Sequence, residues 1–248
     1  MTLDAAVIGC GRMGAFTSPW VRAHAPACWF PLAHAEAITA HPSLKLSALA
    51  DTNVDNLARA AQQYSVARTY EDPLKLIEEV RPALMGIATR TIGRADIIQA
   101  AVAAGTRALH VEKPLCTSSA ELAALEKLLA RDDVFVTFGA IRRHMQPYIA
   151  ARNFVLSGAL GELLEVQANM GNAPLYWAHP HSVDLLLFAN QGAAVQSVSA
   201  RLSGVEREGN AVASDPCIVS AELLFNNGVI GRITRSPGCD LIFSCSKG

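Results

Sequence analysis

AAVIGCGRMG, residues 5–14, joins a short apolar run to a Gly-x-Gly-x-x-Gly turn. The run has the length of a buried parallel strand. Gly9, Gly11 and Gly14 permit a tight turn in which backbone N–H groups can approach a pyrophosphate, with Arg12 and Met13 carried in the same turn. The pattern is short, and it gains weight from the segments downstream. LKLSALAD (44–51), ALMGIAT (83–89), RALHV (107–111) and VFVTFG (134–139) are further bounded apolar runs. Between them lie the amphipathic stretches NLARAAQQY, LKLIEEV, ADIIQAAVAAG and AELAALEKLLA. The last carries a capping-box spacing, Ser118-x-x-Glu121, and Arg131 follows its C-terminal end, where a cation suits the helix dipole. Strand–helix alternation of this kind predicts a doubly wound parallel sheet of the Rossmann type, assigned to residues 1–139.

Asp51 ends the second run. A carboxylate at that strand tip can accept both ribose hydroxyls of NAD and repels a 2′-phosphate. The acid usually follows the glycine turn by about 20 residues, and here the interval is much longer. The excess, AFTSPWVRAHAPACWFPLA (15–33), holds Pro19, Pro26 and Pro31 and cannot be one regular helix. It reads as an insertion before a helix near His34, with Trp20, Trp29 and Phe30 either covering the site or, as is more common for long loops, packing locally. The expected cofactor is NAD, and Arg12 keeps NADP open as an alternative.

From residue 140 the pattern changes. PYIAARNFVLSG is helical, and GELLEVQANMG, VQSVSARL, CIVSAELLF, GVIGRITR and CDLIFSCSKG read as strands. Asn226-Asn227-Gly228 is a hairpin turn between two of them. Residues 140–248 are therefore expected to form an α+β domain with a mostly antiparallel open sheet.

The 248 residues are 51% hydrophobic and 17% charged, which excludes disorder. A net charge of −1 with scattered Lys and Arg gives no basic field for nucleic acid or an anionic membrane surface. No run approaches the ~20 apolar residues of a membrane span, and the N-terminus has no basic leader. Six cysteines lack Cys-x-x-Cys or metal-ligand spacing and read as buried thiols in a reducing compartment. A cytoplasmic location is expected.

Two segments carry chemistry. In HVEKPL (110–115), Glu112 and Lys113 stand at the carboxyl edge of the sheet, where ligands of such sheets bind, and Pro114 keeps Lys113 extended. A lysine there can polarise a substrate oxygen or share its proton. In HPHSVDLLLF (179–188), Pro180 suits a helical first turn, and His181 and Asp184 lie i, i+3 on one face. Taken alone this stretch fits a metal site, an acid–base group or a polar cap on a buried helix. No second ligand cluster accompanies it, so no metal is expected, and imidazole titrates in the range an alcohol-oxidising base requires.

GCGRMG, Asp51, VEKPL and the later His-x-x-Asp, with IAT (87–89), AAVAAG (100–105), the Arg143…Pro147 pair and LSGALGEL (156–163), together resemble the glucose–fructose oxidoreductase / inositol dehydrogenase / MocA family over essentially the whole chain. The resemblance implies hydride transfer between a nicotinamide cofactor and a hydroxyl or keto group of a sugar, polyol or sugar nucleotide. Lys113, His181 and Asp184 match its catalytic positions. Cofactor contacts are implied at Gly9, Gly11, Arg12, Met13, Gly14, Asp51, Thr89, Glu112 and Lys113, and substrate contacts at Arg143, Trp177 and His179. A small-molecule substrate and homo-oligomerisation through the second-domain sheet are implied as well. Members are longer, so the second domain is expected to be incomplete. Four positions depart: Trp177 replaces an acid, His179 a glycine, Arg90 a proline and Arg94 a histidine. Trp177 in place of the acid and the incomplete second domain motivate the alternative, a non-catalytic nucleotide-binding regulatory member of the same fold.

Overall fold

In the computed structural model the described residues are 2–208, 211–212 and 214–248. The chain divides into two units, Met1–Gly139 and Ala140–Gly248.

The first unit runs β1 (Leu3–Ile8), α1 (Pro19–His24), α2 (His34–Ala40), β2 (Leu44–Ala50), α3 (Val54–Tyr64), β3 (Arg68–Tyr70), α4 (Pro73–Val80), β4 (Leu84–Ile87), α5 (Arg94–Ala103), β5 (Ala108–Val111), α6 (Ser119–Leu129) and β6 (Phe135–Phe138). All six strands are parallel, in the order β3-β2-β1-β4-β5-β6. The order reverses direction beside β1, and this switch point is where such sheets bind ligands.

Alternation along each strand feeds two cores. Ala6, Ile8, Ala48, Ala50, Met85 and Ile87 pack against Leu76 and Ile77 of α4, Ala95, Ile98 and Val102 of α5, and Leu125 of α6. Ala5, Val7 and Leu49 face Ala35 and Ile38 of α2 and Leu57 and Ala60 of α3. Burial on both faces explains why these strands are continuous apolar runs. β3 has no counterpart among the expected strands because it is three polar or aromatic residues pairing only with β2 at the sheet edge. The capping box on α6 forms in both directions: Glu121 N–H donates to Ser118 Oγ at 3.2 Å, and Ser118 N–H donates to Glu121 Oε2 at 3.1 Å.

The second unit holds a 3-10 turn (Ile141–His144), α7 (Gln146–Leu156), β7 (Leu163–Asn169), α8 (His179–Ala189), β8 (Val195–Ser203), the short ribbon β9 (Arg207–Glu208) with β10 (Ala211–Val212), then β11 (Cys217–Phe225), β12 (Ile230–Thr234) and β13 (Asp240–Cys245). Its main sheet has the order β13-β7-β12-β11-β8, antiparallel except for the β7–β12 pair. Gly228 takes φ +83° in the β11–β12 turn, the left-handed conformation the Asn-Asn-Gly sequence signals. α8 buries Leu186 and Ala189 against Val166, Ala168, Phe225 and Ile233. Gly231 allows that approach: a Cβ there would meet the Phe225 ring at 2.9 Å and Leu186 at 3.1 Å. Among the described residues no helix is long and apolar enough to cross a membrane.

Candidate functional site

β1 ends in the glycine turn. Gly9 takes φ +91° and sits so close to β4 that a Cβ would be 2.7 Å from the Ala88 carbonyl. A Cβ on Gly14 would fall on the Gly9 carbonyl oxygen, whereas at Gly11 it would meet nothing within 4 Å. Gly9 and Gly14 are thus required by the turn itself, and Gly11 faces open space where another molecule's approach to the backbone would be unobstructed. Asp51 is built into the same turn: its Oδ2 accepts the Cys10 N–H at 2.6 Å, and its Oδ1 accepts Asn53 N–H at 2.8 Å. The Cys10 thiol is buried under this arrangement, and burial, reinforced by the Asp51 charge, pushes it up to about 12. It is inert packing rather than a nucleophile.

The insertion enters and leaves within one helical turn. His34 N–H donates to the Met13 carbonyl at 2.9 Å and Ala35 N–H to the Gly14 carbonyl at 2.8 Å. α2 is therefore the helix that continues the glycine turn in space, with residues 15–33 looped out between them. Glu36 of α2 ties both ends of the excursion. It accepts from the Thr17 hydroxyl at 2.8 Å, the Thr17 N–H at 3.3 Å and the Ala33 N–H at 3.3 Å, and it pairs with Arg22. Burial alone would raise its carboxyl; the Thr17 and Ala33 donors and the Arg22 charge outweigh that and hold it below the ordinary range.

At the ends of β4 and β5, Thr89, Glu112 and Lys113 are gathered by a residue that the sequence marked only as a departure. Arg94, on the first turn of α5, is 3% exposed. Its guanidinium donates to the Glu112 carbonyl at 2.7 Å and also to the carbonyls of Pro114 and Thr89. Three carbonyls from two loops converge on one planar fork, a geometry that a lysine could not serve. The Lys113–Pro114 peptide is cis. Glu112 is buried at 7% exposure. Burial pushes its carboxyl up, but the His34 imidazole, with Lys113 and His110, draws it below the ordinary range. The Thr89 hydroxyl is buried with no hydrogen-bond partner among the described residues. An orphaned hydroxyl on the residue whose backbone nitrogen lies beside Gly9 of the glycine turn fits a bound dinucleotide as the missing partner.

In the second unit, α8 begins at His179 with Pro180 in its first turn. His179 has no exposed surface, and its Nδ1 lies 3.0 Å from Ser182 Oγ. Burial keeps it below the ordinary imidazole range, against the pull of the Ala173 carbonyl and Asp215. It is an interior helix-start residue, not a surface open to substrate. His181, two positions on, is 9% exposed. The Asp184 carboxylate is gripped on both oxygens by Arg143, Oδ1 by Nη2 at 2.6 Å and Oδ2 by Nε at 3.0 Å. The helix-face spacing pairs Asp184 with His181, yet both carboxylate oxygens are directed at the guanidinium. Arg143 thereby anchors the 3-10 turn to α8. Trp177 is exposed, at 54%.

A parallel sheet with a glycine turn at its switch point, an acid hydrogen-bonded into that turn and a buried carbonyl clamp under a strand-end lysine define a Rossmann-type nucleotide-binding unit. The match to known proteins is narrower. The family model described as "Oxidoreductase family, NAD-binding Rossmann fold" (GFO_IDH_MocA) matches residues 3–140, and the chain belongs to that Gfo/Idh/MocA family. It is 29% identical over 179 residues to inositol 2-dehydrogenase 2 of Saccharopolyspora erythraea, covering 70% of this chain and 48% of that protein. It is 31% identical over 127 residues to inositol 2-dehydrogenase of Gluconacetobacter diazotrophicus, covering 50% of this chain and 37% of the relative. The matches therefore span less than half the length of these relatives. The fold is that of myo-inositol 2-dehydrogenase from Lactobacillus plantarum, with a TM-score of 0.77 at 19% identity over 100% of this chain and 75% of that one.

Proposed function

We propose that this protein is an NAD-dependent oxidoreductase that moves hydride between the nicotinamide and a hydroxyl or keto group of a polyol or sugar. Inositols are the first substrates to try, given the activities of its relatives. The observation that carries the reading is the Asp51 carboxylate hydrogen-bonded into the glycine turn, at 2.6 Å from the Cys10 nitrogen. That bond fixes the ribose-recognising acid relative to the amides that take the pyrophosphate. Gly9, Gly11, Arg12, Met13 and Gly14 would hold the pyrophosphate, Asp51 the adenosine ribose, and the Thr89 hydroxyl and Glu112–Lys113 segment the nicotinamide end. When bound, NAD supplies the hydride acceptor. NADP is the weaker candidate, because the Asp51 carboxylate repels a 2′-phosphate.

On this reading Lys113 orients the substrate oxygen and stabilises its developing negative charge, and His181 takes the hydroxyl proton as hydride leaves. Asp184, held by Arg143, acts as a positioning residue for the α8 N-terminus. Trp177 is assigned to the substrate. His179, enclosed in the interior, is left out of the reacting set. The cysteines are unpaired, which suits the proposed cytoplasmic location, although only Cys10 is buried as expected and Cys28 and Cys239 are exposed.

The second-unit sheet is the proposed contact with a second copy of the chain. β8 is exposed along its whole length, with Val195, Val198 and Leu202 outward, and a long exposed edge strand is normally covered.

The test is turnover of the full chain with NAD against a panel of inositols, sugars and sugar nucleotides. Lys113→Ala and His181→Gln are each expected to lower kcat at least ~100-fold, with NAD affinity retained in His181→Gln. NAD binding with no turnover on any substrate would instead favour a regulatory nucleotide-binding protein.

A further inference from the structure

We infer that His34, His110 and Glu112 form a site for one divalent transition-metal ion of the Zn²⁺ class, inside the first unit. The site shares Glu112 with the segment proposed to hold the nicotinamide end, but it is not assigned a step in moving the hydride or the proton. One ligand atom from each residue lies within 4.8 Å of the other two. His34 Nε2 is 3.5 Å from Glu112 Oε1, and the His34 and His110 rings stand 4.5 Å apart, tilted by 58°. Tetrahedral ligands at ~2.0–2.1 Å from zinc lie about 3.4 Å from one another. The His34–Glu112 pair already has that spacing, and the His110 ligand atom lies within 4.8 Å of both.

Three features mark the cluster as a binding site rather than a chance meeting. The first is that His34 is 4% exposed, yet neither ring nitrogen has a hydrogen-bond partner of good geometry among the described residues. A buried imidazole is normally satisfied at both nitrogens, or ligates. The second is that His110 Nδ1 is 2.7 Å from the Thr137 hydroxyl, which orients the ring and leaves Nε2 as its ligand atom. Metal-bound histidines are held in this way through their second nitrogen. The third is that glycines frame the pocket. A Cβ at Gly86 would be 2.8 Å from His34 Nδ1, and one at Gly139 would be 3.0 Å from Glu112 Oε1.

Two imidazoles and a carboxylate select borderline ions over Mg²⁺ or Ca²⁺, which prefer all-oxygen shells. The position gives such an ion a structural role. His34 is the first residue after the insertion 15–33, and Glu112 directly precedes Lys113, so one ion would lock the insertion's return to the lysine loop.

The test uses the full chain stripped with EDTA and reloaded with Zn²⁺ or Co²⁺ alone. One ion per chain by elemental analysis is expected, with a Co²⁺ spectrum lacking the thiolate charge-transfer band that cysteine ligation would give. Zn²⁺ should raise the Tm of the wild type, and His110→Leu should weaken Zn²⁺ binding at least 100-fold and abolish that rise. If His110→Leu does not fold, Thr137→Val, which removes only the orienting hydroxyl, should weaken binding ~10–100-fold. The inference is overturned if the reloaded wild type holds no ion, if cobalt is bound through thiolate, or if the variant that folds keeps wild-type affinity. The cluster is then a proton-held His34–Glu112 pair.

Discussion

Replacing Arg94 by leucine removes one buried guanidinium and leaves three loop carbonyls, those of Thr89, Glu112 and Pro114, without their donor. Each buried acceptor left unsatisfied costs about 1–3 kcal/mol. The variant also withdraws a positive charge that favours the Glu112 carboxylate, since the two interact. Against this, wild-type Arg94 bears a desolvation cost, visible as the lowering of its own pKa by burial, and leucine is relieved of it. The net loss expected is about 3–5 kcal/mol, a large share of the ~5–15 kcal/mol typical of a domain. Guanidinium unfolding of the wild type and Arg94→Leu should show a lower midpoint at unchanged m-value. Arg94→Lys should fall between them, because one ammonium cannot reach three carbonyls in a fixed fork. A loss for Arg94→Leu below about 1 kcal/mol would refute the clamp as the element that holds the Lys113 loop.

Glu36→Gln should destabilise the protein by about 1–2 kcal/mol at neutral pH by loosening both ends of the insertion. The wild-type carboxyl lies below its ordinary 4.5 in the fold, so its contribution is full above that value and lost as pH falls below it. The two melting curves should therefore converge in acid. Gly14→Ala places a methyl on the Gly9 carbonyl and should abolish NAD binding by calorimetry while costing about 1–3 kcal/mol in stability. Asp184→Asn weakens the two-point grip of Arg143; with the arginine partly in solvent the stability loss should stay near 1 kcal/mol, measured by urea unfolding, while kcat falls more than NAD affinity.

The parallel strands were legible because each is buried on both faces and so appears as an apolar run between turn residues. β3 was not, since a three-residue edge strand carries no such run. The long interval from the glycine turn to Asp51 revealed the insertion, but not that α2 resumes on the Met13 and Gly14 carbonyls, because those bonds join residues far apart in sequence. Glu36, Arg94 and the His34–His110–Glu112 cluster escaped for the same reason: each acts through partners that spacing does not encode. The His181–Asp184 spacing correctly placed both on α8, yet the Asp184 oxygens are directed at Arg143, 41 residues earlier. Periodicity gives a face; it does not say which side chain arrives there from another element.

Transfer of deuterium tests the central claim most directly. The full chain is incubated with NAD and an inositol deuterated at its ring carbons, and the mass of the reduced cofactor is measured. Direct hydride transfer predicts NADH carrying one deuterium from the substrate, formed at least ~100-fold more slowly by Lys113→Ala. Reduced cofactor without deuterium, or the same labelling rate in Lys113→Ala, would contradict the account.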